Sequence, residues 1–275
     1  MPKRFTFMIT LLFLLMFAVA CSNQQNTDQS SDTKKTETET VTESKENVEL
    51  TISAAASLKD TMDVIQSTYQ EEHPEVTLKF NFGGSGSLQQ QISQGAPADL
   101  FFSAAEDKFD VLVEDDSIAK EDGVDLLGNS LVLVVPKENQ SIKGFEDLAK
   151  AEIDKISIGT PETVPAGKYA KESLKKTDLW KDVESKVVYA KDVRQVLSYV
   201  ETGNVAAGIV YKTDAMVSDK VNIVATADPE THTPIIYPVG IIKDSKNYEE
   251  AKDFYSYLQN NDALKVFQEY GFTTN

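Results

Sequence analysis

Cysteine, histidine and tryptophan are scarce in this chain: one, two and one in 275 residues. The lone cysteine, Cys21, excludes an intramolecular disulfide, so the folded part must stand on burial alone. Basic residues are outnumbered 27 to 44 by acidic ones, a formal net charge of −17. That balance argues against nucleic acid as a partner, because phosphate backbones are held by basic patches. After residue 21 no apolar run is long enough to cross a bilayer. Also missing are a G-x-G-x-x-G dinucleotide fingerprint, a phosphate-binding loop ending in Gly-Lys-Ser/Thr, and a G-x-S-x-G elbow. No short internal repeat is visible.

What is present begins with a processing signal. Lys3 and Arg4 precede an apolar stretch over residues 5–19, and Ala18-Val19-Ala20-Cys21 closes it. This is a secretory signal, set apart from the fold. Its ending resembles the bacterial lipobox, with Ala18 where that pattern prefers Leu. The resemblance implies that Cys21 becomes the lipidated first residue and that the protein is anchored to the outer face of the cell membrane. Residues 22–47 are polar and charged with no aromatic, so they read as a disordered tether.

Globular patterning starts at Val48. Apolar alternation predicts strands near 48–52, 76–82 and 98–103, with amphipathic helices near 58–72, 88–94 and 108–115 between and after them. A second series follows. Strands are expected at 130–136, 155–159, 186–190, 206–211, 221–226 and 235–243, with helices at 145–149, 166–176 and 193–202. Two amphipathic helices, 248–259 and 263–270, finish the chain. The alternation predicts an α/β class with two lobes, each a mostly parallel sheet flanked by helices. The expected division is residues 48–128 plus 235–275 in lobe 1 and 129–234 in lobe 2.

Several strand-to-helix turns are small and rich in Ala, Gly, Ser or Pro. Ligands of open α/β sheets sit at the carboxyl ends of strands, where helix N-termini offer unpaired N–H groups and partial positive charge. Such ends hold anions without Lys or Arg, which an acidic chain would need to overcome its global field. In Ala54-Ala55-Ala56-Ser57-Leu58, Ser57 stands where an N-cap belongs, with Asp60 three residues on; capping would by itself account for it. Gly83-Gly84-Ser85-Gly86-Ser87 would let the backbone approach a ligand closely, with Ser85 or Ser87 adding a hydroxyl. Val164-Pro165-Ala166-Gly167 opens a helix. Asp192-Val193-Arg194-Gln195 has N-cap and N3 spacing, and Arg194 reads either as an anion clamp or as a solvated arginine on the helix face. Tyr211 ends an apolar strand and reads as a core tyrosine or as a hydroxyl reaching the crevice. His73 and His232 lie outside these turns, so a hydrolase built on Ser57 or Ser85 would lack its base.

The motifs 54–58, Gly-Ala-Pro-Ala-Asp-Leu-Phe (95–101), Leu-Leu-Gly-Asn-Ser-Leu-Val (126–132), Val-Pro-Ala-Gly-Lys-Tyr-Ala (164–170), Asp-Val-Arg (192–194), Gly-Ile-Val-Tyr (208–211) and Tyr-Gly-Phe-Thr (270–273) occur in one order. Taken together they resemble the ModA family, the molybdate-binding proteins of ABC importers. The resemblance implies a type II periplasmic-binding-protein fold closing on its ligand by a hinge. It also implies an oxyanion, molybdate or tungstate, held by Ser57, Ser85, Ala166, Val193 and Tyr211. The metal would enter only within that oxyanion, and no cofactor or catalytic residue is implied. The implied partners are a permease and an ATPase of the ModB/ModC type, with the binding protein itself a monomer. Another oxyanion, such as sulfate, is the alternative on the same fold, and an extracytoplasmic serine hydrolase a more distant one.

Overall fold

The computed structural model describes residues 47–274. The expected signal, the expected lipidation at Cys21 and the expected tether, up to residue 46, fall outside the described residues. Two mixed sheets make up the fold.

In the first half, strand β1 (Val48–Ala55) runs parallel to β2 (Val76–Gly83) and to β3 (Leu100–Phe102). Leu50 and Ile52 are fully buried at the centre of β1. Helix α1 (Lys59–Glu72) packs Met62, Ile65 and Tyr69 inward, a spacing of three and four residues that gives one apolar stripe. The helix ends at His73, before Pro74, because a residue preceding proline is disfavoured in α geometry. Helix α2 (Ser85–Ser93) opens inside the glycine-rich segment, with Gly84 as its N-cap. The expected free-standing turn is therefore the first turn of a helix. Helix α3 (Glu106–Glu114) follows β3.

Strand β4 (Ile118–Gly128) is a finding that sequence patterning did not yield. It crosses to the second sheet through Asn129 and Ser130 and continues as β5 (Leu131–Pro136). That sheet adds β6 (Ile156–Gly159), helix α4 (Pro165–Lys176), the short α5 (Trp180–Val183), β7 (Val187–Ala190), α6 (Val193–Glu201), β8 (Ala207–Tyr211), α7 (Lys212–Met216) and β9 (Val221–Thr226). The chain then returns as β10 (Ile236–Ile242), and α8 (Tyr248–Leu258), α9 (Asn261–Glu269) and a two-residue β11 (Thr273–Thr274) complete the first half.

The first sheet has the order β11-β4-β10-β3-β1-β2 and the second β7-β6-β8-β5-β9. The two-lobed α/β class is the expected one, but "mostly parallel" needs correcting. Only β1–β2, β1–β3, β6–β7 and β6–β8 pair in parallel. The strands that carry the chain between sheets, β4, β5, β9 and β10, pair antiparallel with their neighbours. The reason is connectivity: a strand that arrives from, or leaves for, the other sheet enters without the helical crossover that parallel pairing needs.

Parallel register fixes where the strand tips gather. Ala54 and Ala55 lie beside Phe82 and Gly83, and Ala54 also lies beside Phe102. In the second sheet Gly159 lies beside Ala190. Each sheet thus presents its strand-to-helix turns along one edge.

Candidate functional site

Turns from both sheets meet around one nearly filled cleft, with free space of about 10 Å³. From the first sheet come Ala55, Ala56, Ser57, Gly83, Gly84, Ser85 and Ala104; from the second, Val164, Pro165, Ala166, Val193 and Tyr211. All five residues singled out for oxyanion binding, Ser57, Ser85, Ala166, Val193 and Tyr211, are brought together there. Ser87 is not among the lining residues and is half-buried, whereas Ser85 is fully buried. No charged side chain lines the cleft. A larger groove of about 420 Å³ lies elsewhere, lined by Tyr69, His73, Lys246, Asn247 and four carboxylates, Glu75, Glu249, Glu250 and Asp253, a charged lining unlike that of the cleft.

Ser57 does not cap a helix. It sits inside a 3-10 turn (Ala56–Leu58), and neither that turn nor α1 has a side-chain cap. Its hydroxyl instead pairs with the Tyr237 hydroxyl at 2.9 Å. Two turns later in space, the Ala104 N–H donates to Ser85 Oγ at 2.9 Å. The Ser85 oxygen is thereby engaged as an acceptor, and its own proton remains for the cleft.

Ala166 and Val193 contribute backbone. Ala166 is the second residue of α4, after Pro165, and Val193 is the first of α6. First-turn N–H groups have no acceptor within their own helix. Helix α4 sits directly on the tip of β6: a Cβ on Gly167 would lie 1.9 Å from the Gly159 carbonyl oxygen. Asp192 caps α6, its Oδ1 accepting from the Gln195 N–H at 2.8 Å, while Gln195 Oε1 accepts from the Lys191 N–H. The Asp192 cap is the expected one, while the return bond from Gln195 falls on Lys191, one residue before the cap.

Tyr211 is the most informative member. It is 1% exposed, and its hydroxyl has no hydrogen-bond partner. The Tyr237 ring is near, with centroids 5.7 Å apart, and its hydroxyl acts on the Tyr211 phenol, although the two hydroxyls do not meet full hydrogen-bond geometry. Burial, with the Tyr237 hydroxyl second, pushes the Tyr211 phenol well above its ordinary range, so it keeps its proton and acts as a donor.

Besides lining the cleft with Gly83 and Gly84, the glycine-rich segment joins the two halves. The Gly86 N–H donates to the Thr163 carbonyl at 3.0 Å, joining the two halves. A Cβ on Gly84 would come within 2.6 Å of that same carbonyl oxygen. These glycines let the halves close on each other.

Arg194 is neither an anion clamp nor a solvated arginine. It pairs with Asp60 of α1 at 2.7 Å and, at 3.4 Å, with Asp214 of α7. The first pair spans the cleft, as does Lys168–Asp107 at 3.2 Å. Asp214 is fully buried with one oxygen unpaired, and desolvation raises its pKa to about 7 against the pull of Arg194.

Neither His73 nor His232 lines the cleft. Tyr237 stands in no motif singled out from the sequence, and Asn129 stands in the motif 126–132 without an assigned role. They reach the site through the two crossings between sheets, and only the fold brings those together.

Two α/β lobes joined by paired crossings, with uncharged donors converging between them, define a substrate-binding protein of the two-lobed class. The family described as bacterial extracellular solute-binding protein matches residues 50–273. A Bacillus subtilis (strain 168) protein, YvgL, named provisionally as an ABC transporter substrate-binding lipoprotein, is 54% identical over 99% of both chains. The Haemophilus influenzae molybdate-binding protein ModA is 39% identical, covering 82% of this chain and 91% of that one. The solved periplasmic molybdate-binding protein of Azotobacter vinelandii superposes with a TM-score of 0.75, over 82% of this chain and 98% of that one; at 21% identity it speaks to the fold. The chain belongs to the ModA family of ABC-transporter substrate-binding proteins. Among the described residues no helix is long and apolar enough to cross a membrane.

Proposed function

We propose that this protein binds molybdate, or the similar tungstate, between its lobes and delivers it to a membrane permease and ATPase of the ModB/ModC type. It would do so as a monomer, tethered to the outer face of the cell membrane through lipidated Cys21, and without catalytic chemistry. The observation that carries the reading is the buried, unpartnered Tyr211 hydroxyl in a cleft lined by donors and lacking any cation. A buried hydroxyl without a partner destabilises the protein by about 1–3 kcal/mol, which an oxyanion ligand would recover. Neutral donors suit a fully ionised dianion, whose oxygens only accept. Monohydrogen phosphate would bring a proton that needs an acceptor.

The partners of the two serines favour binding over nucleophilic chemistry. The partner of Ser57 is a phenol and that of Ser85 a backbone N–H, and neither is a base. Sulfate also only accepts, and cleft size would have to exclude it. Calorimetric titration with molybdate, tungstate, sulfate and phosphate tests the reading. Tight one-to-one binding of molybdate or tungstate, with little heat from the other two, is expected. Preferential binding of sulfate or phosphate would overturn the substrate, and binding of none would overturn the function.

A further inference from the structure

The Ser57 hydroxyl can serve an oxyanion only if its proton points into the cleft. In the 2.9 Å contact between Ser57 Oγ and Tyr237 Oη, either atom could be the donor. If Ser57 gave its proton to Tyr237, it would face the cleft with lone pairs alone and repel an anion.

The surroundings of Tyr237 decide the direction. Asn129 stands in the crossing between β4 and β5. Its Oδ1 accepts from the Ser130 N–H at 2.8 Å, so its amide orientation is set by a backbone donor. Nδ2 therefore faces the other way, donating to Thr213 Oγ1 at 2.9 Å and to Tyr237 Oη at 3.2 Å. Tyr237 is fully buried and accepts a hydrogen bond from Asn129 Nδ2. A buried hydroxyl also gives its own proton to an acceptor when one is in reach. Among the described residues the one acceptor in hydrogen-bond geometry is Ser57 Oγ, since the Tyr211 hydroxyl misses it. Burial leaves Tyr237 neutral, so the proton is there to give.

We infer that Asn129 and Tyr237 are positioning residues that set ligand specificity: the relay from Asn129 through Tyr237 to Ser57 turns the Ser57 proton into the cleft. The inference builds on the oxyanion-binding reading proposed above. It gives Ser57 the polarity that Ser85 receives from the Ala104 N–H. Both serines then present protons, and the cleft discriminates against any anion that carries a proton of its own. The relay starts in one crossing between the lobes and passes through the strand that returns along the other.

The test is titration of the full chain with molybdate and with phosphate, for wild type, Tyr237→Phe, Ser57→Ala and the double variant. Tyr237→Phe keeps the ring that packs on Tyr211 and Phe272 and removes only the relay. Molybdate affinity should fall about tenfold, and the preference for molybdate over phosphate should narrow by a similar factor. In the Ser57→Ala background, Tyr237→Phe should have no further effect, because its target is gone. Asn129→Asp provides a second route. A carboxylate there would take the Tyr237 proton, so Ser57 would donate to Tyr237 and be lost to the ligand. Its molybdate affinity should fall at least tenfold, and much of that loss should vanish in the Tyr237→Phe background, whereas simple charge repulsion would persist there.

Equal effects of Tyr237→Phe with and without the Ser57 hydroxyl, or an unchanged preference, overturn the relay while leaving the binding function intact. A wild type that binds neither anion overturns the binding reading and the relay with it.

Discussion

The floor of the cleft and its rim are built from opposite materials. The floor is lined by hydroxyls, backbone and small apolar groups with no ionised side chain. The rim is where charge is used: Arg194–Asp60 and Lys168–Asp107 join helices of the two lobes across the opening. In a chain of net charge −17, a lysine or arginine on the floor would bind any anion, protonated or not. Neutral donors in a dry site hold an anion with little solvent reorganisation and discriminate by protonation state. Half-exposed rim charges add little energy but help set how the halves meet.

The division can be broken from the floor first. Ser57→Ala and Ser85→Ala should each weaken oxyanion binding by about 1–3 kcal/mol, read by calorimetry, with the far-ultraviolet spectrum unchanged. Ser85→Ala should also lower the melting temperature, because it strands the buried Ala104 N–H. If both variants bind as wild type does, the floor is not the site.

Gly84→Ala tests closure itself. Its Cβ meets the Thr163 carbonyl across the cleft, so affinity should fall by about 1–2 kcal/mol while each lobe stays folded. Small-angle scattering with ligand should show a more open molecule, and unchanged closure would contradict the contact.

Tyr211→Phe should split two quantities that usually move together. Affinity falls by about 1 kcal/mol as a donor is lost, while the ligand-free protein gains stability because an unpaired buried hydroxyl is removed. Scanning calorimetry with and without molybdate reads both.

At the rim, Arg194→Ala should cost less than about 1 kcal/mol of affinity, and added salt should erase the difference from wild type. Were it to abolish binding while Ser57→Ala did not, floor and rim would have exchanged roles.

The smallest effect concerns Asp214. Its folded pKa, raised to about 7, lies above the ordinary 3.8. The folded state therefore holds a proton that the unfolded state has lost between those values. Its contribution to stability is full below about pH 4 and fades as pH rises through 7. Asp214→Asn should flatten the decline of melting temperature over that window, and a profile parallel to wild type would contradict the shift.

Much of this was legible from residue order, and the exceptions are instructive. Strands such as 130–136 and helices such as α1 declare themselves because burial on one face imposes a period. Strand β4 does not, since Lys120, Glu121, Asp122 and Asp125 interrupt any alternation. It exists because β10 lies beside it, with register shifts at Tyr237/Pro238 and Gly240/Ile242. Gly123 and Gly240 pair there under the Phe109 ring, where a Cβ on either would collide. Ser57 looked like a cap because capping is local and its real partner, Tyr237, is 180 residues away. Arg194 looked solvated for the same reason, since Asp60 lies on another lobe.

By itself, the sequence determined most of the alternation of strands and helices, the small turns at strand ends and the absence of a histidine among them. These follow from local sterics and periodicity. The tertiary structure alone decided which turns face one another, that Ser57 answers to Tyr237 and Asn129, that Arg194 ties the lobes, and that the Tyr211 hydroxyl is left without a partner. Those are properties of contacts between distant segments, and no local pattern encodes a distance.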